Sequence, residues 1–331
     1  MEIFRVRHST PGEKRLLLVP MSFGVSSILL LHVLNEHLNS QKRRTGRTGY
    51  DLRVVHVNTS TVEHALDQMQ RLADLKARYP SWQYSILDFR DVVHLPDLDG
   101  LIPKRPENDR PDTSDLEKLL ISLPSATCRS DAISILRTRL LVNSAKLQGC
   151  ECILWGDSTT RLAERTLAET AQGRGFSIPW QVSDGPTPFG VSFHFPMRDL
   201  LKKEISAFTE ILEPPLTPLI ERTKIEVIPT AKNTTIDQLM TQYFESVEEN
   251  YPSIVANVVR TTSRLEAPTI QDGAYKCRFC QMPIDEESLS AKAWGGYQEQ
   301  PLFLDSDKNA GRNDFCYGCS RTMPPQPPLS T

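Results

Sequence analysis

The chain has 331 residues, 39% of them hydrophobic and 24% charged, with a formal net charge of -3. That length can bury a sizeable core in one large domain or two smaller ones, and the near-neutral balance leaves any nucleic-acid-binding face to be local. The most apolar run, Ile28 to Leu34, is interrupted by His32 and is too short to span a bilayer; Met1 to Thr10 carries Arg5, Arg7 and His8 without an apolar h-region, so no secretory signal is expected. Seven cysteines include two Cys-x-x-Cys pairs. Without a signal, that usage favours metal over disulfides and makes the cytoplasm the expected compartment.

In chain order, Arg15 to Met21 is an apolar strand entering a Ser/Gly turn, Ser22 to Ser27. A helix is expected from Ser27 to Leu38, with Ile28, Leu31 and Leu34 on one face. Asp51 to Val57 reads as a second strand, and Ser60-Thr61-Val62-Glu63 as a capping box opening a helix towards Arg78. Gln83 to Phe89 is a third strand. The alternation predicts a parallel sheet with crossover helices.

Pro96 to Pro111 reads as an exposed loop. Asp131 to Leu147 is a predicted helix with Ile133, Leu136, Leu140 and Leu147 inward, stopped by Gly149. Cys152 to Trp155 is a fourth strand, followed by Gly156-Asp157-Ser158 and a helix from Thr159 to Thr170. Val191 to Phe195 alternates as a strand and Asp199 to Leu212 as a helix. Two further helices are expected near Thr235 to Ser246 and Pro252 to Arg264, with a cysteine module and a Pro-rich, disordered tail after Ala267. The expected division is 1–213 for the α/β domain, 214–266 for a helical extension and 267–331 for the cysteine module and tail.

The turn Ser22-Phe23-Gly24-Val25-Ser26-Ser27 lies where an open α/β sheet binds ligands, and a following helix aims its positive end at an anion. By itself the turn reads more readily as a plain strand-to-helix connection capped at Ser26. Lys42-Arg43-Arg44 with Arg47 gathers cations in a Gly-rich loop, either to grip phosphates or simply to face solvent. Gly173-Arg174-Gly175-Phe176 offers stacking or phosphate contact, or a helix C-cap. Cys277-x-x-Cys280 and Cys316-x-x-Cys319 supply four thiolates, enough to close a tetrahedral structural zinc site.

Ser22 to Ser27 resembles the S-G-G-x-D-S loop of the PP-loop ATP-pyrophosphatases, and Gly156 to Glu164 (G-D-S-T-T-R-L-A-E) resembles their G-H-N-x-D-D-x-A-E motif. With Arg44 to Gly49, Leu154 to Thr166, Gly173 to Trp180 and Phe315 to Cys319 added, the chain resembles the cytoplasmic tRNA 2-thiolation protein 2 family. That resemblance implies a PP-loop (adenine nucleotide alpha hydrolase-like), doubly wound parallel sheet with a C-terminal helical and zinc-knuckle extension.

Departures from the active pattern accompany the matches. Phe23 stands where a second Gly lets phosphate approach, Ser26 where the loop Asp stands, and Thr160 and Arg161 where two further Asp stand. Without those carboxylates nothing holds Mg²⁺ against phosphates, so Ser22, Gly24, Ser26, Ser27 and Asp157 are expected to form a degenerate nucleotide site, with no catalytic residue and no ATP bound. Sulfur-transferring relatives carry an iron–sulfur cluster beside an Arg-rich helix. Here the comparable positions fall near Ser130 and Ile133, so no cluster is expected, while Cys150 and Cys152 flank a buried strand. Arg137 and Arg139 of that helix join Lys42, Arg43, Arg44, Arg47 and Arg174 as tRNA-contact candidates.

The resemblance further implies 2-thiolation of the wobble uridine (5-methoxycarbonylmethyl-2-thiouridine) of cytoplasmic tRNA Lys, Glu and Gln. The implied partner is the catalytic homologue, cytoplasmic tRNA 2-thiolation protein 1, which adenylates the uridine and takes sulfur from the thiocarboxylated ubiquitin-related modifier. A part in protein urmylation is also implied. An active ATP-dependent tRNA sulfurtransferase and a zinc-dependent scaffold without RNA contact are the competing readings. Relatives carry an N-terminal cysteine module, so a shortened start at Met1 is expected.

Overall fold

In the computed structural model, residues 15–62, 68–96, 98, 101, 113–221, 234–267, 275–284 and 315–323 are described. Five strands form one parallel sheet in the order β3-β2-β1-β4-β5. They are β1 (Leu16–Pro20), β2 (Asp51–Asn58), β3 (Gln83–Asp88), β4 (Cys152–Leu154) and β5 (Ser192–His194). The strand order reverses between β1 and β4, so the loops after these two strands flank the crevice where such sheets bind ligands.

Strand alternation sorts the core into two faces. Leu17 and Val19 pack beneath α1 (Val25–Thr45), α2 (Met69–Arg78) and α7 (Lys202–Ile211). Leu18 points to the opposite face, into one apolar cluster with residues of α4 (Ala126–Leu147) and α5 (Thr159–Ala171). That cluster also takes in Phe244 of α8 (Ile236–Asn250), Val255 and Val259 of α9 (Pro252–Thr262), and Phe279 and Met323 beside the cysteine pairs. The short α6 (Ile178–Val182) completes this face.

Four local expectations need correction. The helix expected from Ser60 begins only at Met69, because the Asn58 side chain accepts the Ser60 N–H at 3.1 Å and Val62 N–H closes a turn onto the Thr59 carbonyl. Glu63 lies outside the described residues. Helix α1 runs on to Thr45, well past Leu38. Leu147, expected inward, is 80% exposed in the last turn of α4. Finally, α3 (Thr113–Ser122) was not anticipated; it buries Leu116 and Leu120 beside Leu98, the latter in a stretch read as exposed loop. Most of that loop, the N-terminal residues and the Pro-rich tail lie outside the described residues. No helix among the described residues is long and apolar enough to cross a membrane.

Candidate functional site

The turn after β1 is closed by its own hydroxyls. Ser22 Oγ and Ser27 Oγ lie 3.1 Å apart, and Ser27 Oγ donates to the Gly24 carbonyl at 3.0 Å. The helix cap is Gly24, not Ser26, and it has no side-chain cap bond. Phe23 takes a left-handed backbone, φ 59°, uncommon for a bulky residue. Its ring is fully buried and meets His56 edge-on at 5.1 Å, so the bulk expected at the phosphate position goes into the core. The Phe23 carbonyl accepts from the Glu221 N–H at 2.8 Å. His56 Nδ1–H donates to the Met21 carbonyl at 2.8 Å, and burial lowers its pKa below the ordinary value, which keeps the ring neutral. A Cβ on Gly156 would fall 2.9 Å from Ser27 Cα: the two crevice loops touch there, and only glycine fits.

The second motif holds the C-terminal helices. Thr160, fully buried, donates to Glu248 Oε2 on α8 at 2.7 Å and accepts the Lys202 N–H at 3.0 Å. Glu248 Oε1 accepts the Lys203 N–H at 2.8 Å. A buried carboxylate thus sits on the N-terminus of α7, where free amides and the helix dipole favour an anion. Arg161 pairs with Glu164 at 2.8 Å, and the same Glu164 oxygen accepts from Thr241 of α8 at 3.1 Å. Asp157 is paired with Arg165 at 3.2 Å, whose guanidinium lies 5.8 Å from the Trp155 ring centre.

The cationic candidates separate into two kinds. Lys42, Arg43 and Arg44 form the last turn of α1 rather than a loop, and they and Arg47 are exposed. Gly46, φ 74°, ends the helix by donating its N–H to the Lys42 carbonyl at 2.9 Å, a left-handed cap that glycine adopts without strain. Because α1 runs antiparallel to β1, this basic turn lies at the opposite end of the sheet from the Ser22 turn, about 30 Å away at 1.5 Å rise per residue. Arg137 is half-buried on α4 and its charge reaches His56. Arg139 and Arg174 do not fit as RNA contacts, because each is buried and committed to the protein. Arg174 grips Asp131 on α4, Glu169 and Gln172, and Thr322 donates to the same Asp131 at 2.7 Å.

Of the cysteines, Cys150 and Cys152 are buried, and burial pushes both thiols up, away from ionisation. Ser130 faces Asp237 at 3.4 Å and Ile133 is in the core. Cys128 is half-buried, its thiol facing the Arg321 carbonyl.

Cys277, Cys280, Cys316 and Cys319 converge, all buried, with their sulfurs within 4.8 Å of one another. Cys280 Sγ and Cys316 Sγ are 3.8 Å apart, far beyond a disulfide bond of about 2.05 Å. A tetrahedron with metal–sulfur bonds of about 2.3 Å has an edge of about 3.8 Å, so the donor set fits a closed tetrathiolate centre. Backbone geometry builds it: Cys277 N–H donates to the Met282 carbonyl at 2.8 Å, Gln281 takes φ 62°, and Cys316 N–H donates to Cys277 Sγ at 3.3 Å. Hydrogen bonding to neighbouring sulfurs together with burial pushes the Cys280 and Cys319 thiols up, while donors to Cys277 push its thiol down; four adjacent thiolates need a cation. The second pair sits on α10 (Tyr317–Thr322), held by close packing: a Cβ on Gly318 would lie 2.5 Å from Arg174 Cγ, and one on Gly173 2.6 Å from the Tyr317 ring.

Sequence reading missed Asp131, Thr322 and Glu248. No local pattern marks them, because a lone carboxylate or hydroxyl finds its partner only when distant segments meet.

Residues 235–321, from the start of α8 to α10, match the family model described as cytoplasmic tRNA 2-thiolation protein 2. The chain is 46% identical to the protein of that name from Pyrenophora tritici-repentis over 98% of this chain and 86% of the relative. It is 46% identical to the one from Phaeosphaeria nodorum, over 98% and 85%, and 37% identical to that of Ajellomyces capsulatus, over 97% and 91%. In fold it is similar to a U34-tRNA thiolase, NcsA from Methanococcus maripaludis, described with its 4Fe-4S cluster: TM-score 0.53, 15% identity, 84% of this chain and 81% of that one.

Proposed function

Because the chain belongs to the cytoplasmic tRNA 2-thiolation protein 2 family, we propose that it is a non-catalytic subunit of the machinery that 2-thiolates the wobble uridine of cytoplasmic tRNA Lys, Glu and Gln. On this reading its heterodimer partner is the catalytic homologue, cytoplasmic tRNA 2-thiolation protein 1. The partner adenylates the uridine and accepts sulfur from the thiocarboxylated ubiquitin-related modifier, and the same modifier brings the complex into protein urmylation. The compartment is the cytoplasm.

One observation carries the reading. Thr160, at the position of one of the paired carboxylates, is engaged in holding α7 and α8, and Arg161, at the other, pairs with Glu164 of its own helix. The chemistry would need acids there to hold Mg²⁺ against the pyrophosphate, and these side chains cannot supply them. In this proposal Ser22, Gly24, Ser26, Ser27 and Asp157 are the remnant of a nucleotide site. Lys42, Arg43, Arg44 and Arg47, exposed on one helix end, contact tRNA phosphates, with Arg137 a further candidate near the crevice. Cys277, Cys280, Cys316 and Cys319 hold one structural zinc, with residues 214–266 as a helical extension between that module and the α/β domain. The exposed basic turn favours RNA contact over a purely protein-binding scaffold.

The test is tRNA-dependent release of pyrophosphate by the isolated chain and by its complex with the catalytic homologue. The complex should turn over and the isolated chain should not. Turnover by the isolated chain would establish an active sulfurtransferase instead.

A further inference from the structure

Arg139 projects from α4 to the first cysteine pair. Its Nη1 donates to the carbonyls of Arg278 and Phe279 at 3.2 and 3.0 Å, and Nη2 donates to the Pro96 carbonyl. Both gripped carbonyls of the pair lie inside the Cys277-Arg278-Phe279-Cys280 turn. The Phe279 carbonyl and the Cys280 N–H belong to one planar trans peptide, so they point in opposite directions. Fixing that peptide therefore fixes the backbone that carries the Cys280 ligand, and the Arg278 carbonyl is held by the same nitrogen.

We propose that Arg139 is a positioning residue of the tetrathiolate centre, holding the Arg278 and Phe279 carbonyls so that the turn presents Cys277 and Cys280 together to the metal. The proposal rests on the reading of the four cysteines as a metal site. Arginine is suited to the task because its planar fork spans two carbonyls from one nitrogen and a third from another, which an ammonium on a flexible stem does not reproduce. The role differs from that of Arg174, which supports the second pair through packing on Gly318 and an ion-paired frame rather than through a ligand's peptide. Outer partners of this kind typically change metal affinity by about 10- to 100-fold when removed.

The experiment uses the purified full chain loaded with zinc, following zinc transfer to a chromogenic chelator, and its cobalt(II)-substituted form, following the visible absorption of the thiolate-bound metal. Arg139→Gln should lower zinc affinity on the order of 10- to 100-fold and shift the cobalt absorption. Arg139→Lys should fall in between, and the control Lys146→Gln, exposed on the same helix, should match the parent. A folded Arg139→Gln chain that holds zinc as tightly as the parent, with an unchanged cobalt spectrum, overturns the proposal. If that variant fails to fold, Arg139→Lys decides: faster zinc loss supports the role, parental release refutes it, and a second failure to fold makes Arg139 a general anchor of the core. A parent chain that binds neither zinc nor cobalt removes the metal reading itself, an outcome visible before any variant is made.

Discussion

The Thr160 hydroxyl donates to Glu248 Oε2 at 2.7 Å, joining the start of α5 to the end of α8 at the position where the active motif carries a carboxylate. Glu248 is only 4% exposed, so its charge is tolerated because Thr160 and the Lys203 N–H satisfy it. An acid at residue 160 would face that buried carboxylate directly. On the proposed reading, the missing acid and the docking of the C-terminal helices therefore share one structural cause.

Restoring the acid should harm the protein. Thr160→Asp brings two carboxylates into one buried site, where they cannot both ionise without cost. We expect a fall in unfolding free energy of about 2–4 kcal/mol, larger at neutral pH than near pH 5, with no gain of pyrophosphate release. Thr160→Val should cost less, about 1–3 kcal/mol, since it removes one donor to Glu248 and the acceptor of the Lys202 N–H. Urea unfolding of the three chains at two pH values gives the comparison. An Asp variant as stable as the parent would mean that Glu248 has room to turn away.

Metal analysis of the purified chain should give about one zinc per molecule. Cys277→Ser or Cys316→Ser should release it, because four sulfurs within 4.8 Å of one another are all needed to close the shell. Phe279 and Met323 lie in the core cluster shared with the sheet, so chelation should also lower the thermal midpoint of the main body. Iron with cluster-like visible absorption would refute the zinc assignment.

The basic turn at the end of α1 should set the salt dependence of RNA binding. Replacing Lys42, Arg43, Arg44 and Arg47 by Ala should weaken tRNA binding and flatten the log–log salt slope by up to about three or four units. All four side chains are exposed, so stability should change by no more than about 1 kcal/mol, the loss of favourable charge at a helix C-terminus. An unaltered slope would leave the turn as solvent-facing charge.

His56 gives the protein a defined acid sensitivity. Burial lowers its folded-state pKa below the ordinary 6.5, so the unfolded chain binds the extra proton first. Stability from this residue is fully present above about pH 6.5 and is lost as pH falls towards the folded value, at up to about 1.4 kcal/mol per pH unit. His32 is depressed by burial as well and adds a slope of the same sign. The measurement is therefore a difference: His56→Asn, which can still donate to the Met21 carbonyl, should unfold with a shallower pH dependence between 6.5 and 5 than the parent. Equal slopes would show that His56 is already charged in the fold.

The strands and the Cys-x-x-Cys pairs were legible in the sequence because their signals are local. Leu17, Leu18 and Val19 form one continuous apolar run, and Cys277 and Cys280 share one turn. What was not legible depends on pairing across long separations. Arg139 and Arg174 read as surface cations because nothing nearby in sequence shows the carbonyls at 278 and 279 or the Asp131 carboxylate that claim them. The start of α2 was misplaced for a nearer reason: Asn58 competes for the Ser60 N–H and makes a turn of what resembles a capping box.

The Ser22 turn separates a structural from a functional role in cells. Ser22 is exposed, Gly24 has an ordinary negative φ, and a Cβ there would meet Ser22 Oγ only at 3.5 Å. Ser22→Ala, Gly24→Ala and Ser26→Ala together should therefore leave the fold intact, at a cost of about 1 kcal/mol for the Ser22–Ser27 contact. Phe23, whose ring anchors the turn against His56, is left in place. In a cell lacking the native gene, deletion should abolish the wobble 2-thiouridine, whereas the triple variant should restore it to near the parental level. A nucleotide-binding turn would behave differently, since losing its hydroxyls and adding a methyl at Gly24 would strike the phosphate cradle directly. If the triple variant folds, binds the catalytic homologue and still fails to restore thiolation, the turn is a working site and the chain is more than a structural partner.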